Sequence, residues 1–172
     1  MEEIEVLMGK ALDEYLEGKK YAQTEDLLAA CATNISDSLA GMQYEIFEVR
    51  GTGRAPDLGK IAGDIQDLIQ NVAVMAHCLD LYIPEFEEIE EFIEEEFNQD
   101  HKMDATMCLL SIHHIFSKMI LEYYVAASDP EDQQDLLADE MMQVGIIDML
   151  ASLMSICNRY KLDFTRVVVY GA

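Results

Sequence analysis

Glu45 and Glu48 stand three residues apart in Gln43-Tyr44-Glu45-Ile46-Phe47-Glu48, and Asp64 and Asp67 stand three apart in Gly63-Asp64-Ile65-Gln66-Asp67. Side chains at i and i+3 share one face of an α-helix. The run Gly51-Thr52-Gly53-Arg54-Ala55-Pro56 between the two pairs is turn chemistry. Two antiparallel helices joined there would aim four carboxylates at one point. Four carboxylates between helices repel one another and resist desolvation, and a divalent cation relieves both problems. An all-oxygen donor set suits Mg²⁺, with Mn²⁺ as the alternative. Such an ion also binds substrate phosphates. A water held by metal and carboxylate can attack phosphorus while the metal offsets charge on the transferred group. Asn71, four residues after Asp67 on the same face, is a candidate substrate contact. Lys60, four before Asp64, and Arg50 and Arg54 at the hairpin end are candidate phosphate partners. A plainer reading stands beside this one. A chain with 34 Asp and Glu contains such pairs by chance, and Glu14-Glu17 and Glu91-Glu94 are two more. Context separates the two central pairs from those: apolar residues interleave both, as on helices facing a core, and a short hairpin connects them.

The elements that must position these side chains are helices. From Leu58, the residues Ile61, Ile65, Leu68, Ile69, Val72 and Met75 recur at three- and four-residue steps. Leu136, Leu137, Met141, Val144, Ile147, Met149 and Leu150 recur similarly but are more apolar around the circumference, which predicts a central helix. Breaks fall near Gly18, at residues 51–56, at Tyr82-Ile83-Pro84, Asn98-Gln99-Asp100, Ser128-Asp129-Pro130 and Tyr160-Lys161-Leu162-Asp163. Helix starts are expected at Asn34-Ile35-Ser36-Asp37, at Asp57, and at Asp129-Pro130-Glu131, where Pro takes a first helical position. Glu85 to Glu96 carries eight glutamates around a stripe of Phe86, Ile89, Phe92, Ile93 and Phe97, and reads as a solvated amphipathic helix. The one β-like run, Val167-Val168-Val169-Tyr170, has no partner strand and reads as a helix end or tail. The fold class expected is all-α, a helical bundle.

Composition narrows the function classes. A chain of 172 residues buries a full core, as one compact domain or two small fused ones. Its 34 acids against 11 bases give a net charge of −23, which argues against nucleic-acid binding and against docking on anionic membrane. No run of 18 apolar residues appears, and the start, MEEIEVLMGK, is acidic where a signal peptide is basic and then apolar. A soluble, cytoplasmic protein is expected. Cys31, Cys78, Cys108 and Cys157 are far apart, without CxxC or CxxH spacing, and read as reduced core thiols rather than zinc ligands. His113 and His114 point about 100° apart on a helix and do not chelate together. His77 reads as a core residue, and Tyr123-Tyr124 as candidates to stack on a base.

The ExxE pair, a linker of a dozen to nearly thirty residues and a second acidic pair resemble the MazG-like, all-α nucleoside triphosphate pyrophosphohydrolases. That superfamily includes all-α dimeric dUTPases and phosphoribosyl-ATP pyrophosphohydrolase. The run Asp67-Leu68-Ile69 through Asn71-Val72-Ala73-Val74-Met75-Ala76-His77 to Leu79-Asp80-Leu81-Tyr82 is similar to the family's long apolar helix and closing Leu-Gly-Ile-Asp-like turn. The match covers roughly residues 35 to 90. Asp64 stands where the family usually has Glu, and Tyr44 where many members carry a further acid. The second half echoes the first. Asp148-Met149-Leu150-Ala151-Ser152-Leu153-Met154-Ser155-Ile156-Cys157 leads to Tyr160-Lys161-Leu162-Asp163, and Asp148 to Asp163 spans the same fifteen positions as Asp67 to Tyr82. An internal duplication follows as an expectation: residues 1–98 carry the acidic motif, and residues 99–172 form a degenerate copy packed with it. Three before Asp148 stands Gly145, and Ser111-Ile112-His113-His114-Ile115-Phe116-Ser117-Lys118 contains no ExxE.

The resemblance implies hydrolysis of a (d)NTP to (d)NMP and pyrophosphate. Glu45, Glu48, Asp64 and Asp67 would hold Mg²⁺, and Glu45 or Glu48 would orient water. Two alternatives stay open: a non-catalytic MazG-like scaffold for protein interaction, and phosphoribosyl-ATP hydrolysis. Oligomeric state stays open as well, between a self-sufficient bundle and a homodimer.

Overall fold

The computed structural model describes residues 2–17, 24–97, 104–126 and 140–171. The breaks near Gly18, at Asn98-Asp100 and at Ser128-Pro130 lie outside those residues, as do the expected start at Asp129-Pro130-Glu131, the 98/99 half boundary, and Leu136 and Leu137. The described residues form an all-α bundle of seven helices: α1 (Glu2–Leu16), α2 (Thr24–Gln43), α3 (Leu58–Cys78), α4 (Phe86–Glu96), α5 (Ala105–Ala126), α6 (Glu140–Arg159) and α7 (Phe164–Tyr170). Beyond Gln43, α2 runs on through a π-helical segment, Tyr44–Glu48, and a last α-turn, Val49–Gly51.

The apolar stripe of α3 builds the centre. Ile61, Ile65, Leu68, Ile69, Val72 and Met75 are all fully buried, each contributing about 1.5–3 kcal/mol of burial. Asp57 starts the helix as expected: its Oδ1 accepts the Lys60 N–H at 3.1 Å. Asn34–Asp37 starts nothing, because α2 passes through them without a break. The hydroxyl of Ser36 instead donates to the Ala32 carbonyl at 2.9 Å, a bond available within a continuous helix. α6 is central, with Met149, Leu150, Leu153, Ile156 and Cys157 buried. It is the one described helix long and apolar enough by composition to cross a membrane, and most of that stretch is buried in the bundle. Val167–Tyr170 is helical, part of α7.

The ends of α3 and α6 close alike. Asp80 and Lys161 both adopt the left-handed conformation, at φ 54 and 56. After α3 the Leu81 N–H donates to the Ala76 carbonyl at 2.8 Å and the Asp80 N–H to the His77 carbonyl at 3.2 Å. After α6 the Leu162 N–H donates to Cys157 at 2.9 Å and Lys161 to Asn158 at 3.2 Å, position for position the same pattern. The helices that follow are exchanged: α4 packs on α6, and α7 packs on α3 and α1. Their first residues meet, with the Phe86 and Phe164 rings edge to face at 5.5 Å. The Gln143 side chain joins α6 to the segment after α3. It accepts the Tyr82 N–H at 2.9 Å and donates to the Tyr82 carbonyl at 2.7 Å.

Candidate functional site

The α2–α3 hairpin is antiparallel, and three cross-helix contacts fix its register: Glu45 with Lys60, Gly41 with Asp64, and Cys31 with Asn71. Glu45 is 3% exposed. Its Oε2 accepts the Asp57 N–H at 3.0 Å, and its Oε1 lies 3.5 Å from Lys60 Nζ and 3.7 Å from Arg54 Nη2. Lys60 Nζ also sits 5.0 Å from the centre of the Tyr44 ring. Lys60 and Arg54, expected as phosphate partners, therefore neutralise Glu45 and hold the turn at the hairpin end. Arg50 is exposed; its charge acts on Tyr160, whose phenol pKa burial raises and Arg50 partly offsets.

Glu48 is exposed while Glu45 is buried. The cause is the π-helical segment that contains both. Its i→i+5 bonding widens the turn, so side chains three apart no longer stand one above the other as they do on an α-helix. Nothing in residue type announces this local winding.

Asp64 faces Gly41 one turn further into the hairpin. A Cβ at residue 41 would lie 2.7 Å from Asp64 Oδ2, so only glycine lets this carboxylate rest against α2. Oδ2 is buried and has no hydrogen-bond partner. Burial raises the Asp64 pKa; Lys60 lowers it, and Asp67 and Glu45 raise it further. Asp67 lies on the open side of α3, and its pKa is raised by desolvation and then by Glu14 of α1.

Asp67 opens onto a cleft of about 420 Å³ between α1, α2 and α3, lined by Glu14, Asn34, Asp37, Ser38, Gln70 and Asn71, with Ala11 at its floor. Asn71 is buried. Its Nδ2 donates to the Asp67 carbonyl at 2.8 Å, and the Cys31 thiol donates to its backbone and side-chain oxygens. Glu14 and Asp37 were not expected here: Glu14 reads as a chance pair with Glu17, and Asp37 as a helix cap. The missing signal is register. Once Gly41 stands opposite Asp64, the turn holding Asp37 and Ser38 falls opposite Asp67.

Asp64 thus stands between Glu45 and Asp67 along the hairpin, and the charges of both act on it. Among the described residues, no three His, Cys, Asp or Glu side chains lie close enough together to hold a metal ion. As positioned, Glu45 is held by two cations and Glu48 is exposed. The second half differs again. At Gly145 a Cβ would lie 2.6 Å from Met119 Sδ and 3.3 Å from Ile115 Cγ2, so a methionine of α5 fills the space beside α6. Asp148 is half-buried, with its pKa raised by desolvation and eased by the Ser152 hydroxyl, which donates to Oδ1 at 3.4 Å. Comparison with models of known families, with curated proteins and with solved structures returns no match.

The remaining candidates fall apart from this cleft. His77 is exposed rather than in the core, because α3 turns that position outward near its end. His113 is half-buried, with its pKa lowered by burial, and His114 is exposed. Tyr123 is buried and meets the exposed Tyr124 edge to face at 5.6 Å. None of the four cysteines forms a disulfide. Cys31, Cys108 and Cys157 are buried and Cys78 is half-buried. Burial pushes Cys78 and Cys108 to about 11 and Cys157 to about 12, which leaves these three as unreactive thiols at neutral pH.

Proposed function

We propose that the chain is a tandem MazG-like helical bundle that acts in the cytoplasm as a non-catalytic scaffold for protein interaction. The observation that carries this reading is what stands across the hairpin from its acids. Asp64 meets Gly41 rather than a second carboxylate, and Glu45 is held by Lys60, Arg54 and the Asp57 N–H. A divalent ion among the motif carboxylates would compete for Glu45 with the Asp57 N–H and the two cations. The tandem part of the reading is supported by the matching closures after α3 and α6 and by the exchange of α4 and α7. The interaction part is supported by an apolar stripe left open along α5. The test is pyrophosphate release from each common NTP and dNTP, with and without Mg²⁺ or Mn²⁺. The expected result is none above the protein-free blank.

A second reading has its own observation. The unpartnered Oδ2 of Asp64, with Asp67 one turn away, is a carboxylate arrangement that a cation would relieve. On that reading the chain is a metal-dependent nucleoside triphosphate pyrophosphohydrolase or, on a narrower substrate, a phosphoribosyl-ATP pyrophosphohydrolase. Metal-dependent release lost in Asp67→Asn would select it.

A further inference from the structure

We infer that the outer face of α5 pairs with the same face of a second copy of this chain, antiparallel and about a two-fold axis. The inference rests on the scaffold reading in that it names that scaffold's partner. Along α5, Met107, Leu110, His114, Ser117, Leu121 and Tyr124 follow one another at alternating steps of three and four, the spacing of a coiled-coil seam. All six are exposed. The large apolar members are open by 51% at Met107, 49% at Leu110, 64% at Leu121 and 45% at Tyr124. Such side chains leave on the order of 400 Å² of apolar surface per copy, within the range of the largest patch a monomer usually keeps.

The stripe is self-complementary. With the axis beside Ile115 and Phe116, Met107 lies against the partner's Tyr124, Leu110 against the partner's Leu121, and His114 against the partner's Ser117. Apolar side chains then meet at both ends, and a polar pair that can hydrogen-bond meets at the centre, where it fixes the register. Tyr124 is braced by the edge-to-face contact with buried Tyr123, so it enters the contact with little freedom to lose.

Charge selects the occupant. The chain carries −23, so two copies repel wherever acidic faces approach. α5 carries only Lys118 and Glu122 among its 22 residues, a balance of zero. A basic partner would be drawn to the acidic faces of α1 and α4. A neutral apolar stripe calls for another neutral apolar stripe, and the chain's own α5 supplies one. At about 33 Å of helix, the paired stripes with their polar members bury about 1,000 Å², the lower bound of a specific interface.

Sedimentation equilibrium of the full chain from about 1 to 100 µM tests the proposal. The expected result is a dimer that tightens with added NaCl, as screening reduces repulsion between the two copies. Leu110→Glu or Leu121→Glu should weaken it by roughly 100-fold, since like charges then meet in the contact. At a concentration where the wild type is monomeric, the thermal melts of both variants should stay at the wild-type value, because both residues are exposed. Register is read by mild oxidation: L110C/L121C should link two copies, whereas L110C alone should not, its two sulfurs being about 16 Å apart along the helices. A monomer at every concentration overturns the proposal, as does a dimer unmoved by either glutamate or efficient linking of L110C alone. Pyrophosphate release by a chain that still dimerises would remove the scaffold reading and leave the α5 contact standing.

Discussion

Asp64 shows how one side chain carries both the cost and the interest of the hairpin. Its Oδ2 is buried without a partner against Gly41, and desolvation raises its pKa, with Lys60 opposing and Asp67 and Glu45 adding. The folded chain therefore keeps a proton that the unfolded chain has released. Between the two pKa values stability falls as pH rises, and the cost is fully present above the folded value. Asp64→Asn should raise stability at pH 7 by roughly 1 kcal/mol, about 2–4 °C in Tm. The gain should shrink at about pH 3, below the ordinary carboxylate pKa of about 3.9, where folded and unfolded chains both hold the proton. Urea unfolding at the two pH values checks this, and an equal gain at both would contradict the assignment.

At the scale of the element, the register of α2 against α3 decides which residues meet. Gly→Ala inside a helix usually gains about 1 kcal/mol. At Gly41 the new Cβ would meet Asp64 Oδ2 at 2.7 Å, so Gly41→Ala should gain nothing in the wild-type background. In an Asp64→Ala background it should recover that gain of about 1 kcal/mol. Strict additivity in this double-mutant cycle would mean that the two residues do not touch. At the hairpin end, Glu45→Ala should cost about 1–2 kcal/mol, chiefly through the orphaned Asp57 N–H. Lys60 and Arg54 are exposed and their ion pairs add little. Glu45→Gln keeps an acceptor for that N–H and should cost less, which thermal melts of the two variants would resolve.

Much of this element scale was legible in the sequence. The stripe from Ile61 to Met75, the Asp57 cap and the repeated Asp-to-turn spacing all follow from periodicity and side-chain chemistry. The π-helical segment was not legible, because Tyr44 to Glu48 read equally well as α-helix. Nor was the continuity of α2 through Asn34–Asp37, where capping side chains instead serve a surface and a cleft. The cleft itself needed register: Glu14 lies on α1, and no local pattern links it to Asp67.

Across the whole molecule, the closures after α3 and α6 follow one pattern. α3 and α6 end in the same left-handed turn and lend their following helices to each other, while the acidic i,i+3 pairs stand on the first hairpin. In the second half Met119 occupies the space beside Gly145, and α5 turns an apolar stripe outward. On the proposed reading this frame binds rather than hydrolyses. The most direct measurement follows pyrophosphate from every common NTP and dNTP with purified full-length chain, with Mg²⁺, with Mn²⁺ and with EDTA, beside Glu48→Ala and Asp67→Asn. The account predicts release at the blank rate for all of them. Metal-dependent release by the wild type, abolished in the two variants, would contradict it and return the four motif carboxylates to catalysis.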